Sequence, residues 1–373
     1  MQRFESRRRT DGKGSFKLTK IFLVRHAEAE GNVHRRAHGQ FDGQITNRGL
    51  IQIGLLRERF NGERIDAVYS SDLTRARVTA AALSEPRSLE IITSVKLREI
   101  CMGEWEDVAW GNLEHSFPEM SGNFSSDPAN WSVKGGEVYN DVIDRMTGFI
   151  KEKASLHDGE TIAFFSHGFA IRSFFCNLMG FRSDESRKVK YCDNTAVALL
   201  YYDNESLKIE YQSDNSHLSQ DTSTFARQKW WRVAVNAISE NMRYMPLEEK
   251  RDSELLESYR QEQGERAASN KEYASFLADD PTGFICLDTE KESGESAGWI
   301  QSIYIKPDFR GMGFSVQLIG LAISEFRRLR REKLRIIAPG GNQVVKLCLN
   351  CGFEIVSESG EQTLMEKNIK IWE

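Results

Sequence analysis

Long apolar runs are missing from this 373-residue sequence, and their absence is the first restriction on its function. No segment approaches the roughly 18–20 apolar residues that span a bilayer, so we expect no association with a membrane. The net charge of −5 lacks the strongly basic balance that is typical of nucleic-acid-binding domains, so no nucleic-acid partner is expected. Residues 1–17 are basic without an apolar stretch of signal-peptide length, which predicts a flexible tail.

Cysteine is scarce and scattered. The six cysteines show no spacing typical of a disulfide framework, which favours a reduced compartment such as the cytoplasm. Cys348 and Cys351 have a spacing typical of redox or zinc sites, but no second pair and no nearby His complete a tetrahedral set. We therefore expect no bound metal.

The length of the chain predicts two or more domains, each with its own core. In the first part, short apolar segments alternate with helical ones, a pattern typical of an α/β domain with a mostly parallel sheet. The predicted strands are 21–24, 67–70, 90–92 and 161–165, followed by a hairpin at 195–202 and 207–212. A polar stretch at 219–224 indicates the end of this domain.

Two of the predicted strands are each followed by one polar residue and then a histidine. Arg25-His26 follows the first strand, and Ser166-His167 follows a later apolar run. Open α/β sheets bind ligands at the carboxyl edge of their strands, and Arg75, after another strand, is expected there too. Phosphoryl transfer requires positioning and charge stabilisation, which two guanidinium groups supply well. A neutral His26 can attack phosphorus and form a phosphohistidine.

These segments, with the Leu-Arg-Glu motif that ends in Glu99, resemble the histidine phosphatase (phosphoglycerate mutase-like) superfamily. The resemblance implies a three-layer α/β/α domain in which His26 is the nucleophile and Glu99 the general acid and then base. It also implies that the phosphate is held by four side chains, those of Arg25, Asn32, Arg75 and His167. The short interval between His26 and His167 favours a phosphatase, with a phosphomutase as the alternative.

The C-terminal part contains a second candidate anion site. A predicted strand at 300–305 leads into a glycine-rich turn and a long helix. Such a turn presents backbone N–H groups at the positive end of a helix dipole. The turn consists of Arg310, Gly311, Met312, Gly313, Phe314 and Ser315.

This segment resembles the pyrophosphate-binding turn of the GNAT acetyltransferase superfamily. The resemblance implies an α+β domain that uses acetyl-CoA or another acyl-CoA and an amine acceptor. Ile303, Ile305 and Asn342 are then expected to join residues 310–315 in binding the coenzyme. Cys348 stands where the family often has a proton-donating Tyr, and a thiol near its free pKa could replace it as the acid.

Four arginines follow on the same predicted helix, at positions 327, 328, 330 and 331. Their spacing predicts a solvated helix face. Contact with the ribose phosphate of the coenzyme is the alternative.

The sequence thus predicts a phosphatase domain at 18–222, a linker with a packing helix at 223–240 and a GNAT-like domain at 241–373. The leading hypothesis is a bifunctional enzyme whose two sites serve one small phosphorylated amine or one pathway. A different hypothesis makes the second domain a degenerate acyl-CoA sensor that regulates the first. The sequence leaves the identity of both substrates and the oligomeric state open.

Overall fold

The computed structural model describes residues 18–228, 240–248, 251–252, 254–255, 257, 270–339 and 343–371. The predicted tail at 1–17, most of the predicted linker and Asn342 lie outside the described residues. Two β-sheets organise the chain, one of six strands and one of seven. The first sheet ends at Asp214 and the second begins at Arg243.

The six-stranded sheet has the order β3-β2-β4-β1-β5-β6. Strand β1 pairs in parallel with β4, which pairs in parallel with β2, while β5 runs antiparallel to β1. The strands are β1 (Thr19–Arg25), β2 (Ala67–Ser70), β3 (Ile91–Thr93), β4 (Thr161–Ser166), β5 (Val197–Asp203) and β6 (Ser206–Asp214). The helices of this half are α1 (Glu30–His34), α2 (Asn47–Arg59), α3 (Thr74–Ser84), α4 (Trp110–Ser116), α5 (Pro118–Ser126), α6 (Tyr139–Leu156), α7 (Gly168–Leu178) and α8 (Thr224–Arg227).

Alternate side chains of β1 are buried on opposite faces of this sheet, as the twofold period of a strand requires. Ile21 and Leu23 pack into one apolar cluster with side chains of α6 and α7. Phe22 and Val24 pack into another with side chains of α2 and α3. Helices therefore cover both faces, which confirms the predicted three-layer α/β/α arrangement.

The parallel strands end together at one edge of the sheet. The His26 N–H donates to the Ser166 carbonyl oxygen at 2.9 Å, and the Ser71 N–H donates to the Phe165 carbonyl oxygen at 2.9 Å. The residues that follow β1, β2 and β4 consequently meet in a small volume, as the positions of the two histidines in the sequence predict.

The seven-stranded sheet has the order β12-β13-β11-β10-β9-β8-β7. Its strands are β7 (Arg243–Pro246), β8 (Lys271–Leu277), β9 (Asp280–Asp288), β10 (Ala297–Ile305), β11 (Lys333–Pro339), β12 (Glu354–Ser359) and β13 (Gln362–Asn368), with helices α9 (Phe314–Arg328) and α10 (Gln343–Asn350). The predicted α+β arrangement is confirmed. None of the described helices combines the length and the apolar character needed to traverse a bilayer.

The parallel strands β10 and β11 pair along only part of their length. Ala297–Ile300 pairs with Lys333–Ile336. Beyond that point β10 stays paired with β9 as far as Ile305, and β11 stays paired with β13 as far as Pro339. The two strands therefore diverge and leave a groove between them.

Helix α9 joins the two halves of the molecule. Eleven of its fifteen residues are buried, because one face packs on the second sheet and the opposite face packs on α1. The closest approach is at Gly320, where an added Cβ would lie 2.4 Å from the Cβ of His34. Across the same interface, Arg36 donates to Ser324 Oγ at 2.8 Å.

We expect Gly320→Ala to lower the free energy of unfolding by about 1–3 kcal/mol, since the added methyl group has no space at this contact. Gly54→Ala is the matched control, because Gly54 is also helical but its Cβ would meet nothing within 4 Å. That variant should be neutral or more stable by up to about 1 kcal/mol. Chemical denaturation measures both, and equal effects would show that α9 and α1 are not tightly packed.

Candidate active site

His26 lies directly after β1 and is 5% exposed. Its Nδ1 is 2.7 Å from the carbonyl oxygen of Ala27, so the hydrogen on Nδ1 is donated there and Nε2 keeps its lone pair. Burial holds the pKa of His26 well below its ordinary value, and the charges of Arg75 and Arg25 lower it further. The imidazole is therefore neutral near pH 7, with one nitrogen able to act as a nucleophile.

His167 lies at the end of β4, with its ring centroid 5.1 Å from that of His26. Its Nδ1 accepts a hydrogen bond from Arg75 Nε at 3.2 Å, so the ring hydrogen is on Nε2. Burial and the charge of Arg75 hold the pKa of His167 well below its ordinary value. Nε2 is buried and has no hydrogen-bond partner among the described residues. A donor is thus available beside the nucleophile.

The two arginines are buried and oriented by backbone carbonyls. Arg75, in the first turn of α3, donates to the carbonyl oxygens of Phe41 at 2.8 Å and Gly39 at 2.6 Å. Arg25 donates from Nη1 to the Cys192 carbonyl oxygen at 2.5 Å. Arg25 Nε is buried and has no partner in the described part of the chain. Asp42 Oδ1 lies 3.9 Å from Arg75 Nη1, while backbone carbonyls make the closer contacts, so both guanidinium groups can still attract an anion.

The Glu99 carboxylate contacts the N-terminus of α7, which begins directly after His167. Its Oε1 accepts from the N–H groups of Ile100 at 3.0 Å and Ala170 at 2.8 Å, and its Oε2 accepts from that of Phe169 at 2.9 Å. Burial raises the pKa of Glu99, and this effect outweighs the three backbone donors, which lower it. The carboxyl group is thus a better proton donor near neutral pH than an ordinary glutamic acid.

Asn32 is brought to the same edge by α1. Its Oδ1 accepts from the Ala29 N–H at 2.9 Å and from Asn194 Nδ2 at 3.3 Å, which leaves the amide hydrogens of Asn32 to face a ligand. Asn194 also donates to the His26 carbonyl oxygen at 3.0 Å. Asn194 was not predicted as a site residue from the sequence. The feature that could have indicated it is its position just before β5, at the same edge of the sheet.

The loop at residues 39–44 supports the site from one side. The Glu106 carboxylate accepts from the N–H groups of Gly39, Gln40 and Phe41. The Asp42 carboxylate accepts from the Thr74 N–H with both oxygens at 2.9 Å, which caps the start of α3. These contacts fix the carbonyl oxygens that orient Arg75.

In the second half of the molecule, the predicted glycine-rich turn lies between the end of β10 and the start of α9. Gly311 and Gly313 have φ angles of +78° and +84°, and space surrounds both. Arg310 folds back and donates from Nε to the Ile305 carbonyl oxygen at 2.9 Å. Phe314 packs in the core, so its backbone, and not its side chain, faces the turn.

Other predicted coenzyme residues differ in how accessible they are. Ile305 is buried and Ile303 packs against the same core, and both belong to the part of β10 that extends beyond its pairing with β11. Met312 is 55% exposed at the turn, and Ser315 lies in the first turn of α9.

Comparison with known families identifies both halves of the chain. Residues 21–215 match the family model of the histidine phosphatase superfamily (branch 1). The chain belongs to this superfamily. Residues 236–353 match the model of the acetyltransferase (GNAT) family, so the chain also contains a GNAT domain.

Individual relatives match the phosphatase half. Phosphoserine phosphatase 1 of Hydrogenobacter thermophilus is 30% identical over 204 residues, which cover 54% of this chain and 96% of that protein. A metal-independent phosphoserine phosphatase of Arabidopsis thaliana is 30% identical over 212 residues, covering 56% of this chain and 87% of that protein. The structure of Bacillus stearothermophilus YhfR is 26% identical, with a TM-score of 0.52, and covers 54% of this chain and all of that one.

Cys348 does not have the property that the sequence analysis assumed. It is buried in the core of the GNAT domain, and burial raises its pKa to about 12. A thiol with this pKa is a weaker acid than an ordinary thiol and holds its proton too tightly to neutralise a coenzyme thiolate. The expectation of a thiol near its free pKa is therefore wrong.

We expect Gly313→Asp to abolish the binding of CoA to the GNAT domain, because it adds bulk and a negative charge where the pyrophosphate is expected. Gly313→Asn adds similar bulk without the charge and should weaken binding less. Gly294→Asp, at an exposed glycine of the same domain, is the control. Calorimetric titration with CoA measures all three, and an unchanged affinity of the Gly313→Asp protein would mean that the turn only caps α9.

Proposed function

We propose that this histidine phosphatase hydrolyses a small phosphate monoester through a phosphohistidine on His26, and that its GNAT domain transfers an acyl group from acyl-CoA to an amine. One observation carries the first half of the proposal. A neutral His26, with Nε2 unprotonated, lies beside the donor Nε2–H of His167 and near two buried guanidinium groups whose charges lower its pKa. This arrangement attracts a phosphate and presents a nucleophile to it.

In the first step, His26 Nε2 attacks phosphorus and the ester P–O bond breaks. Glu99 gives its proton to the departing alkoxide, so an alcohol leaves and a phosphohistidine remains. In the second step, ionised Glu99 takes a proton from water, whose oxygen attacks phosphorus. The P–N bond then breaks, which restores neutral His26 and releases inorganic phosphate.

The charge that develops on the transferred group is met by fixed donors. Arg25, Arg75 and His167 are held by the protein before a ligand arrives, so little reorganisation is needed during the reaction. Asn32 adds a neutral donor. These side chains supply the positioning and charge stabilisation that phosphoryl transfer requires, and no step of the scheme uses a metal.

The substrate class that we propose is a small phosphorylated amine of the phosphoserine type. Support comes from relatives that are named phosphoserine phosphatases. The presence of a GNAT domain adds to it, since an amine on the same molecule would suit N-acylation. We propose the cytoplasm as the compartment, because the cysteines are unpaired thiols.

The alternative for the GNAT domain is an acyl-CoA sensor that binds coenzyme without turnover. The high pKa of Cys348 favours it, because a thiol that holds its proton this tightly is a poor proton donor to the coenzyme thiolate. Incubation with acetyl-CoA and a panel of amines separates the two functions. Release of the CoA thiol and an N-acyl product supports transfer, whereas binding without release supports the sensor.

We expect quenching during turnover to trap an acid-labile phosphate on His26. His26→Ala should lower kcat by several orders of magnitude, since no other nucleophile can replace it, while circular dichroism shows an intact fold. His115→Ala, a substitution in α4, is the control. Mass spectrometry of the quenched protein locates the phosphate, and a normal rate of the His26→Ala protein would overturn the assignment.

We expect kcat/KM for an alkyl phosphate to fall as the pH rises through the raised pKa of Glu99, because the acid form is lost above it. Glu99→Gln should remove this falling limb and lower the rate. For p-nitrophenyl phosphate, whose leaving group needs no proton, the same substitution should lower kcat/KM far less. Equal losses with both substrates would show that Glu99 is structural.

A further inference from the structure

The arginines at positions 327, 328, 330 and 331 do not share one environment, and α9 ends at Arg328, so the last two lie beyond the helix on which all four were predicted. Arg331 is half-buried and donates to the carbonyl oxygens of Ser293 and Thr289, so it does not lie on a solvated face. Arg328 is exposed and pairs with Glu325 at 3.0 Å, and Arg330 is also exposed, as expected for a solvated face. For Arg327 that expectation is wrong, since its side chain is 7% exposed. This guanidinium group is directed into the phosphatase half, where it pairs with Glu30.

Arg327 makes three contacts that fix its position. Its Nη1 lies 2.9 Å from Glu30 Oε2, and its Nε donates to the Ile369 carbonyl oxygen at 2.6 Å. Its guanidinium carbon lies 5.9 Å from the centroid of the Phe41 ring. The residue thus connects the last turn of α9 with both α1 and the loop at 39–44.

Glu30 is the buried partner of this arginine, with its side chain 3% exposed. Burial alone would raise the pKa of Glu30, but the charges of Arg327, Lys367 and His34 lower it to about 2. The carboxylate is therefore ionised, and its Oε2 also accepts from the Gln44 N–H at 3.2 Å. Glu30 consequently holds the far end of the loop.

The loop at 39–44 is hydrogen-bonded to Arg75, one of the side chains proposed to bind phosphate. The carbonyl oxygens of Gly39 and Phe41 are two of the acceptors that orient Arg75. Glu106 and Asp42 anchor this loop from the phosphatase side. Arg327 anchors it from the GNAT side, through Phe41 and through Glu30.

We propose that Arg327, a residue of the GNAT domain, is a positioning residue of the phosphatase site. It holds Glu30 and Phe41, and through them the loop at 39–44 that orients Arg75. The GNAT domain is then a structural part of the phosphatase and not a separable module. The inference rests on the proposed phosphatase function for its kinetic test, but not for its binding test.

The experiment compares Arg327→Met with Arg327→Lys and with the matched control Arg328→Met in the full chain. We expect Arg327→Met to lower kcat/KM by about 10- to 100-fold, the loss typical of a misplacement near 1 Å. The inhibition constant and the calorimetric Kd of inorganic phosphate should rise in parallel. Arg327→Lys should recover part of both, because it restores the charge beside Glu30, and Arg328→Met should behave as wild type.

Loss of Arg327 alone leaves the buried Glu30 carboxylate with Lys367, whose Nζ lies 3.7 Å from its Oε1, as its remaining ion-pair partner, which lowers stability. The double variant Glu30→Gln with Arg327→Met removes both charges and serves as the second test. We expect it to fold but to keep the weak phosphate binding, because the contact with Phe41 is still lost. Wild-type phosphate affinity in the double variant, or in a folded Arg327→Met protein, would overturn the inference.

Different results contradict the proposed phosphatase function and the proposed role of Arg327. A wild-type protein that hydrolyses no phosphate monoester contradicts the proposed function, while phosphate affinity still tests the role of Arg327. Hydrolysis by the wild type, with unchanged KM and phosphate affinity in Arg327→Met, contradicts the role of Arg327 and leaves the proposed function standing. A variant that only unfolds more readily would lose active protein and kcat, but not affinity.

Discussion

The burial of a neutral imidazole between two guanidinium groups is the constraint on which the rest of this structure depends. Like charges and a titratable ring share a small volume with little solvent, so most of their polar atoms are held by protein partners, while Arg25 Nε and His167 Nε2 have none among the described residues. The sheet meets this demand by bringing three parallel strand ends together. Backbone carbonyls, among them that of Cys192, accept from the arginines, which leaves their positive charge for a ligand.

The same constraint explains why the loop at 39–44 has so many anchors. Arg75 keeps its direction only while two carbonyl oxygens of that loop stay in place. Glu106 and Asp42 hold the loop through backbone N–H groups, whose bonds to a carboxylate are stronger than neutral ones. The buried Glu30–Arg327 pair adds a contact from the last turn of α9. Chemistry at one edge of the molecule is thus tied to packing between its halves.

The sequence was sufficient for the parts that depend on local pattern. Short apolar runs that end in Arg25-His26 and Ser166-His167 indicated parallel strands with a shared edge, and a glycine-rich turn indicated the start of α9. Contacts between segments that are distant in the sequence could not be predicted from it. The run of arginines suggested solvent for Arg327, because helical spacing shows which residues share a face but not what covers it. The prediction for the pKa of Cys348 was wrong for the same reason, because tertiary packing determines how deeply a thiol is buried and therefore how far its pKa is shifted.

The protonation state of His26 is the most direct test of this account. With ¹⁵N labels on the seven histidines, two-dimensional NMR measures the ring nitrogens of each residue across pH 5–8, and a His26→Gln protein assigns the signal. The account predicts that His26 stays neutral over this range, with the hydrogen on Nδ1 and an unprotonated Nε2. Titration of His26 near its ordinary pKa, or a hydrogen on Nε2, would contradict it.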